Sequence, residues 1–133
     1  MVDYKYTNYA AGLCNIGPKE IKKRYAISVV GFILSSAMIY IFLLFNLNYT
    51  FFILTFFPLF LGFIGFFQGY LKFCVANAYR GIYDLSDIGG GKGIIRDDLS
   101  HREDIKHGRL LIYYSLISSF MTSVIIILIR LYL

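Results

Sequence analysis

The sequence predicts an all-α integral membrane protein with three transmembrane helices. Three observations predict it. Apolar stretches run over residues 25–45, 49–71 and 110–129, each close to the ~20 residues a helix needs to cross a bilayer. All but one of the 13 basic residues lie in residues 1–24 or 72–109, the flanks of those stretches. Hydrophobic residues make up 58% of the chain and charged residues 16%, against about a quarter charged in soluble domains. A soluble fold of 133 residues buries too little surface to hide three such stretches in one core. The expected organisation is a single membrane domain over residues 1–133, with a polar loop at 72–109.

Charge sets the expected topology. Cytoplasmic segments of membrane proteins carry the excess of Lys and Arg, so both basic segments belong on the cytoplasmic side. The connector at 46–50 carries no charge. The chain then runs from a cytoplasmic N-terminus, out, back through a short hairpin, and out again, leaving the C-terminus outside near Arg130. The loop at 72–109 holds seven basic and six acidic residues, but acidic residues count little in this rule. Residues 1–11 are polar and Tyr-rich, and the first apolar run is too late and too long for a secretory signal. The expected location is the inner (cytoplasmic) membrane of a bacterium, as a multi-pass protein. The net charge of +5 follows from topology and gives no reason to expect nucleic acid as a partner.

The first helix starts at Gly17-Pro18, because proline at the first helical position loses only an N–H that has no intrahelical acceptor. Lys19, Lys22, Lys23 and Arg24 follow. Their stems run along apolar surface while the charges reach anionic lipid headgroups.

The second span carries Pro58, Gly62, Gly65 and Gly69 within a sector of about 60° on a helical wheel, and Ala76 continues that face. Gly65 and Gly69 have the GxxxG spacing that lets backbones approach closely in lipid, where hydrophobicity does not drive association. Pro58 is expected to kink the span. The opposite face, Phe56, Phe60, Phe63 and Phe67, is expected to meet lipid or a partner.

For the third helix, Ser100-His101-Arg102-Glu103 fits a capping box with Ser100 as N-cap. A helix from His101 to the C-terminus is ~50 Å long, so its first turns stand beyond the bilayer core. It carries Ser115, Ser118, Ser119, Thr122 and Ser123. The expected core contact joins the Gly62, Gly65, Gly69 face to the Ser115, Ser119, Thr122 face. Residues 81–99 read as loop, with Gly89-Gly90-Gly91-Lys92-Gly93 unable to hold regular structure unaided.

Candidate chemistry is sparse. The glycine run with Lys92 fails the phosphate-loop pattern, since no Ser or Thr follows Lys92 and no strong strand precedes it. Cys14, Cys74, His101 and His107 share the cytoplasmic side and have the residue types of a tetrahedral metal site. They show no CxxC or HxxxH spacing, and His101 and His107 lie about 240° apart around a helix. Gln68 is the most polar side chain in a span; such groups often mark a pathway or an interhelical hydrogen bond, and its shallow depth favours hydrogen bonding at the interface. No ionisable residue lies deep in a span, which counts against a proton-coupled carrier and against intramembrane hydrolysis. No cofactor is expected.

The segment Cys14-Asn15-Ile16-Gly17-Pro18-Lys19-Glu20-Ile21 with Arg24, and the pattern Phe67-Gln68 … Phe73-Cys74 … Arg80-Gly81-Ile82-Tyr83-Asp84, are particular for a membrane protein. Together with the basic stretch before the last span they resemble a family of small bacterial polytopic membrane proteins of unassigned function. That resemblance implies no activity and no functional residue. Asn15, Lys22, Lys23, Arg24, Gln68 and Arg80 are the candidate contacts to a partner or to headgroups. The expected function is that of a non-catalytic accessory or assembly subunit of a larger membrane complex, with other membrane subunits and anionic lipids as partners. The alternative is a small oligomeric channel or metal-ion carrier using Cys14 and Cys74, with a pore lined by Ser115, Ser119 and Thr122.

Overall fold

The computed structural model describes Tyr9, residues 11–85 and residues 91–133. In chain order it contains α1 (Pro18–Leu44), a 3-10 turn (Tyr49–Thr55), α2 (Phe56–Tyr70), α3 (Val75–Arg80), β1 (Ile82–Leu85), β2 (Gly91–Ile94) and α4 (Asp98–Tyr132). Three stretches are long and apolar enough to cross a membrane: Pro18–Leu44, Tyr49–Tyr70 and Asp98–Tyr132. They mark the chain as a multi-pass membrane protein.

Helix lengths explain how each stretch does this. At 1.5 Å per residue, the 27 residues of α1 rise ~40 Å, enough for a core of ~30 Å. The 15 residues of α2 reach only ~22 Å. The preceding 3-10 turn adds ~2 Å per residue, and the two together are long enough. Pro58 therefore does not kink a long helix. It is the third residue of α2, where its missing N–H costs little. The 35 residues of α4 rise ~52 Å, so roughly four turns stand beyond the core.

The tightest contact lies between α1 and α2, not between α2 and α4 as the sequence suggests. A Cβ added at Gly31 would lie 2.4 Å from the Gly62 nitrogen and 2.9 Å from the Pro58 carbonyl oxygen. One added at Gly65 would lie 2.7 Å from both the Arg24 carbonyl oxygen and the Ser28 nitrogen. Gly62 faces the Phe32 ring, and Gly69 faces the Tyr25 ring. The glycine face of α2 thus meets Ser28 and Gly31, part of a small-residue face on α1 that is buried together with Ser35. Phe45–Asn48 is too short to separate consecutive helices, and consecutive elements tend to pack together. Phe63 stacks edge-on against Phe32 at 5.2 Å, and Phe67 lies 6.1 Å from Tyr114 of α4. These two members of the phenylalanine face pack within the chain.

Helix α4 packs on α2, on α3 and on the 3-10 turn, while among the described residues no packing of that extent joins α1 to α4. The three spans form an open row with α2 in the middle. Ser115, Ser119 and Ser123 are buried. The hydroxyls of Ser115 and Ser119 donate to the carbonyls of Leu111 and Ser115, at 2.8 and 2.6 Å. These back-bonds to their own helix satisfy both groups without a partner from α2.

Three further expectations are corrected at the polar end. Helix α2 ends at Tyr70, and Lys72 adopts a left-handed φ of 54°. The chain restarts as α3, so Ala76 does not extend the α2 face. The region at 81–99 is not all loop: β1 and β2 pair antiparallel with Ile82 opposite Ile94 and Asp84 opposite Lys92. Among the described residues the fold is therefore mostly helical, with one two-stranded hairpin added to the expected helices. Gly91 and Gly93 belong to β2, where Gly93 leaves room for the Tyr83 ring across the ladder. Gly89 and Gly90 lie outside the described residues, as do residues 1–8 and 10. Finally, α4 is capped by Asp97, whose carboxyl accepts from the Leu99 and Ser100 nitrogens at 3.3 Å. Its side chain also accepts from the Ser100 hydroxyl, and that bond holds its pKa below the ordinary carboxylate range. The capping-box assignment put this start three residues late.

The close backbone approach makes a prediction. Gly31→Ala and Gly65→Ala each destabilise the protein in detergent by about 1–3 kcal/mol, the usual cost of overpacking. Gly108→Ala, whose added carbon meets only side-chain atoms at 3.5 Å or more, leaves the melting temperature nearly unchanged. Thermal unfolding followed by size-exclusion chromatography reads the difference.

Candidate functional site

Residues 14–17 run alongside β1 at the polar end, joined to it by an isolated bridge. Asp84 donates its N–H to the Asn15 carbonyl, and Gly17 donates to the Asp84 carbonyl, both at 3.0 Å. Ile16 pairs parallel with Asp84. The leading segment is thereby joined to β1, and the hairpin closes back through Ile95 N–H to the Gly81 carbonyl at 2.7 Å. Gly81 itself ends α3 in the left-handed conformation that glycine adopts at no steric cost.

The centre of this end is the junction between α2 and α3. The Asn15 amide donates to the Cys74 carbonyl at 3.0 Å and accepts from the Cys74 N–H at 2.6 Å. Both residues are fully buried. Gln68 accepts from the Val75 N–H at 3.0 Å and donates to the Ile64 carbonyl at 3.2 Å. Arg24 Nη2 lies 3.1 Å from the Cys74 Sγ and 3.7 Å from Glu20 Oε2. Asn15, Arg24, Gln68 and Cys74 are thus brought together. Asn15 and Gln68 hold a backbone break in place. A chain break inside packed structure leaves amide groups that must be paired, and these side chains pair them.

A second anchor was missed at the sequence level. Asp104 is fully buried and accepts from the Tyr9 hydroxyl at 2.6 Å and from the Gly12 N–H at 2.7 Å. Tyr9 stacks on Tyr83 with ring centroids 4.9 Å apart. Burial, and then the Asp104 carboxyl, push the Tyr9 hydroxyl above its ordinary range, so at neutral pH it keeps the proton it donates. The clue in the sequence is spacing. Asp104, Gly108, Leu111, Ser115, Ser119 and Ser123 follow one another at three or four residues and form the buried stripe of α4.

The remaining candidates do not converge on a common centre. Cys14 and Cys74 are buried free thiols. Cys14 donates to the Ile16 carbonyl at 3.5 Å, and burial raises its pKa. His107 packs edge-on against Phe73 at 4.5 Å, while His101 lies beside Gly81. Among the described residues no three His, Cys, Asp or Glu side chains are grouped to hold a metal ion. Lys22, Lys23 and Arg80 are exposed. Ser115 and Ser119, expected on the wall of a pore between copies, are buried inside one copy. Between the 3-10 turn, α2 and α4 runs an apolar groove of about 370 Å³, lined by Phe57, Phe120 and Ile127 among others, with the buried Ser123 hydroxyl on its floor. That hydroxyl has no hydrogen-bond partner among the described residues.

Comparison with protein-family models, with curated proteins and with solved structures finds no match.

The Asp104 anchor predicts a change in thiol reactivity. Alkylation requires the thiolate, so Cys14, buried and with its pKa raised, reacts slowly at neutral pH. Asp104→Ala frees residues 9–14 and increases the rate of Cys14 modification by maleimide severalfold. Mass spectrometry distinguishes Cys14 from Cys74, whose rate stays low.

Proposed function

We propose that this chain is a non-catalytic accessory or assembly subunit of a larger membrane complex. In this reading it lies in a bacterial inner membrane, with the polar end in the cytoplasm and the C-terminus outside. The observation that carries it is the open row of spans. Only 22%, 28% and 17% of the apolar windows of the three spans is buried within the chain. One copy therefore leaves most of the apolar surface of its spans to lipid or to other helices. A membrane-spanning surface of this kind suits helix packing with partners, where close fit and small residues supply the affinity.

The chemistry at the polar end supports the same reading. Its buried polar side chains, Asn15, Gln68 and Asp104, are occupied in fastening backbone. What the polar end offers is exposed surface: Tyr79, Ile94 and Leu99 are exposed at 48%, 73% and 71%, and the basic Lys22 and Arg80 are exposed too.

Isolation from native membranes in a mild detergent tests this. The expected result is a heteromeric complex of fixed stoichiometry, with photo-crosslinks to a second polypeptide from exposed positions such as Ile33 and Ile117 and none from buried Ser119. A preparation containing only copies of this chain, with no heterologous crosslink from those positions, contradicts the proposal.

A further inference from the structure

The end of the helix row opposite the hairpin carries one charged side chain. Arg130 is the only Lys or Arg after Arg109, and the sequence holds no Asp or Glu over residues 21–83 or 105–133. Among the described residues no side-chain carboxyl is therefore present at this end to neutralise it. The guanidinium is nevertheless positioned. Its Nη2 donates to the side-chain oxygen of Asn46, and Asn46 is itself fixed by the way α1 ends. Its φ of 48° is left-handed. The Asn46 N–H donates to the Leu43 carbonyl at 3.1 Å, and the Leu47 N–H donates to the Phe42 carbonyl at 3.0 Å. This closes the last turn of α1 as helix C-termini commonly close. An arginine presents five N–H donors, and Asn46 takes one.

Directly beneath the guanidinium lies a crevice of about 190 Å³ between α1, the 3-10 turn and α4. Its apolar walls are Ile39, Leu43, Phe52, Ile126, Ile129 and Leu133, with Arg130 at its edge. A cation over an apolar slot, at the depth where a span meets headgroups, is complementary to one kind of molecule. We infer that this end binds a single glycerophospholipid, its phosphate on Arg130 and one acyl chain in the crevice. A second copy of the chain would bring a like charge to the same place and no side-chain carboxylate. A soluble anion would leave the apolar slot unused. The inference rests on the three spans crossing a bilayer and does not depend on the subunit role.

Native mass spectrometry from detergent micelles tests it, with phosphatidylglycerol, diacylglycerol and inorganic phosphate as probes. The wild-type protein is expected to retain one phosphatidylglycerol and neither of the other two. Hydrogen bonds to a charged group are worth about 1.5–3 kcal/mol, so Arg130→Gln lowers retention roughly tenfold or more, while Arg130→Lys retains most of it. Ile126→Phe, which fills the crevice and leaves the charge, also lowers retention. Asn46→Gly keeps the left-handed turn and removes only the positioning acceptor, giving an intermediate loss and a second reading should Arg130→Gln fail to fold. Equal retention by wild type, Arg130→Gln and Ile126→Phe means ordinary surrounding lipid and overturns the inference. Equal retention of diacylglycerol, competition by inorganic phosphate, or no lipid on the wild type overturns it as well.

Discussion

The structure depends on one side-chain amide closing on one backbone position. Between α2 and α3 the helical ladder stops, and Cys74 sits at the break with no exposure to solvent. Its carbonyl also serves the first turn of α3, accepting from Ala78 N–H at 3.1 Å. Its N–H has Asn15 for a partner. A buried N–H left unpaired costs about 1–3 kcal/mol, a large part of the stability of a small domain. By satisfying both Cys74 groups, Asn15 ties the leading segment to the end of the second span. The same residue joins that segment to β1 through its own carbonyl. Hairpin, α3 and spans are thereby assembled into one unit, and Gln68 and Arg24 reinforce it from α2 and α1.

The spans were legible in the sequence and their pairing was not. Length, apolar content and the distribution of Lys and Arg are properties of single segments, and the three stretches they mark overlap the three candidate spans, two of which begin well before the apolar stretch does. Pairing is a property of two faces. The glycines of α2 were visible as a stripe, and so were the serines of α4. Ser28, Gly31 and Ser35 on α1 were overlooked because larger residues separate them and one glycine is a weak signal. The serine hydroxyls point back to their own carbonyls, which removes the reason to seek a partner for them. Asn15 and Gln68 stood out as unusual, but their role depends on a helix break at Leu71–Cys74 that no proline announces. Asp104 sits between Arg102 and Lys106 and reads as ordinary surface charge unless its place in the α4 stripe is followed down from Ser119. The hairpin was hidden by glycines, whose use in β2 is to leave room for Tyr83.

These features divide the molecule into two kinds of surface. Toward the hairpin end, polar side chains are occupied in holding backbone, and the outcome is a fixed shape with exposed Tyr79, Ile94 and Leu99. Along the spans, small residues hold α1 to α2, and bulky residues hold α4 to α2 while leaving the outer faces of α1 and α4 open. A chain organised in this way invests its chemistry in architecture. That pattern agrees with the proposed role as a subunit, in which recognition is carried by shape and by exposed apolar groups.

The central claim is that the leading segment, the hairpin, α3 and the α2 end form one cooperative unit locked by Asn15. Hydrogen exchange measured on the Asn15→Ala protein in detergent tests it most directly. The account predicts that residues 14–17, the Cys74–Val75 junction and β1 lose protection together, while the α1–α2 contact around Gly31 and Gly65 keeps its own. Loss of protection confined to residues 14–17, with the junction and the hairpin unchanged, would contradict it.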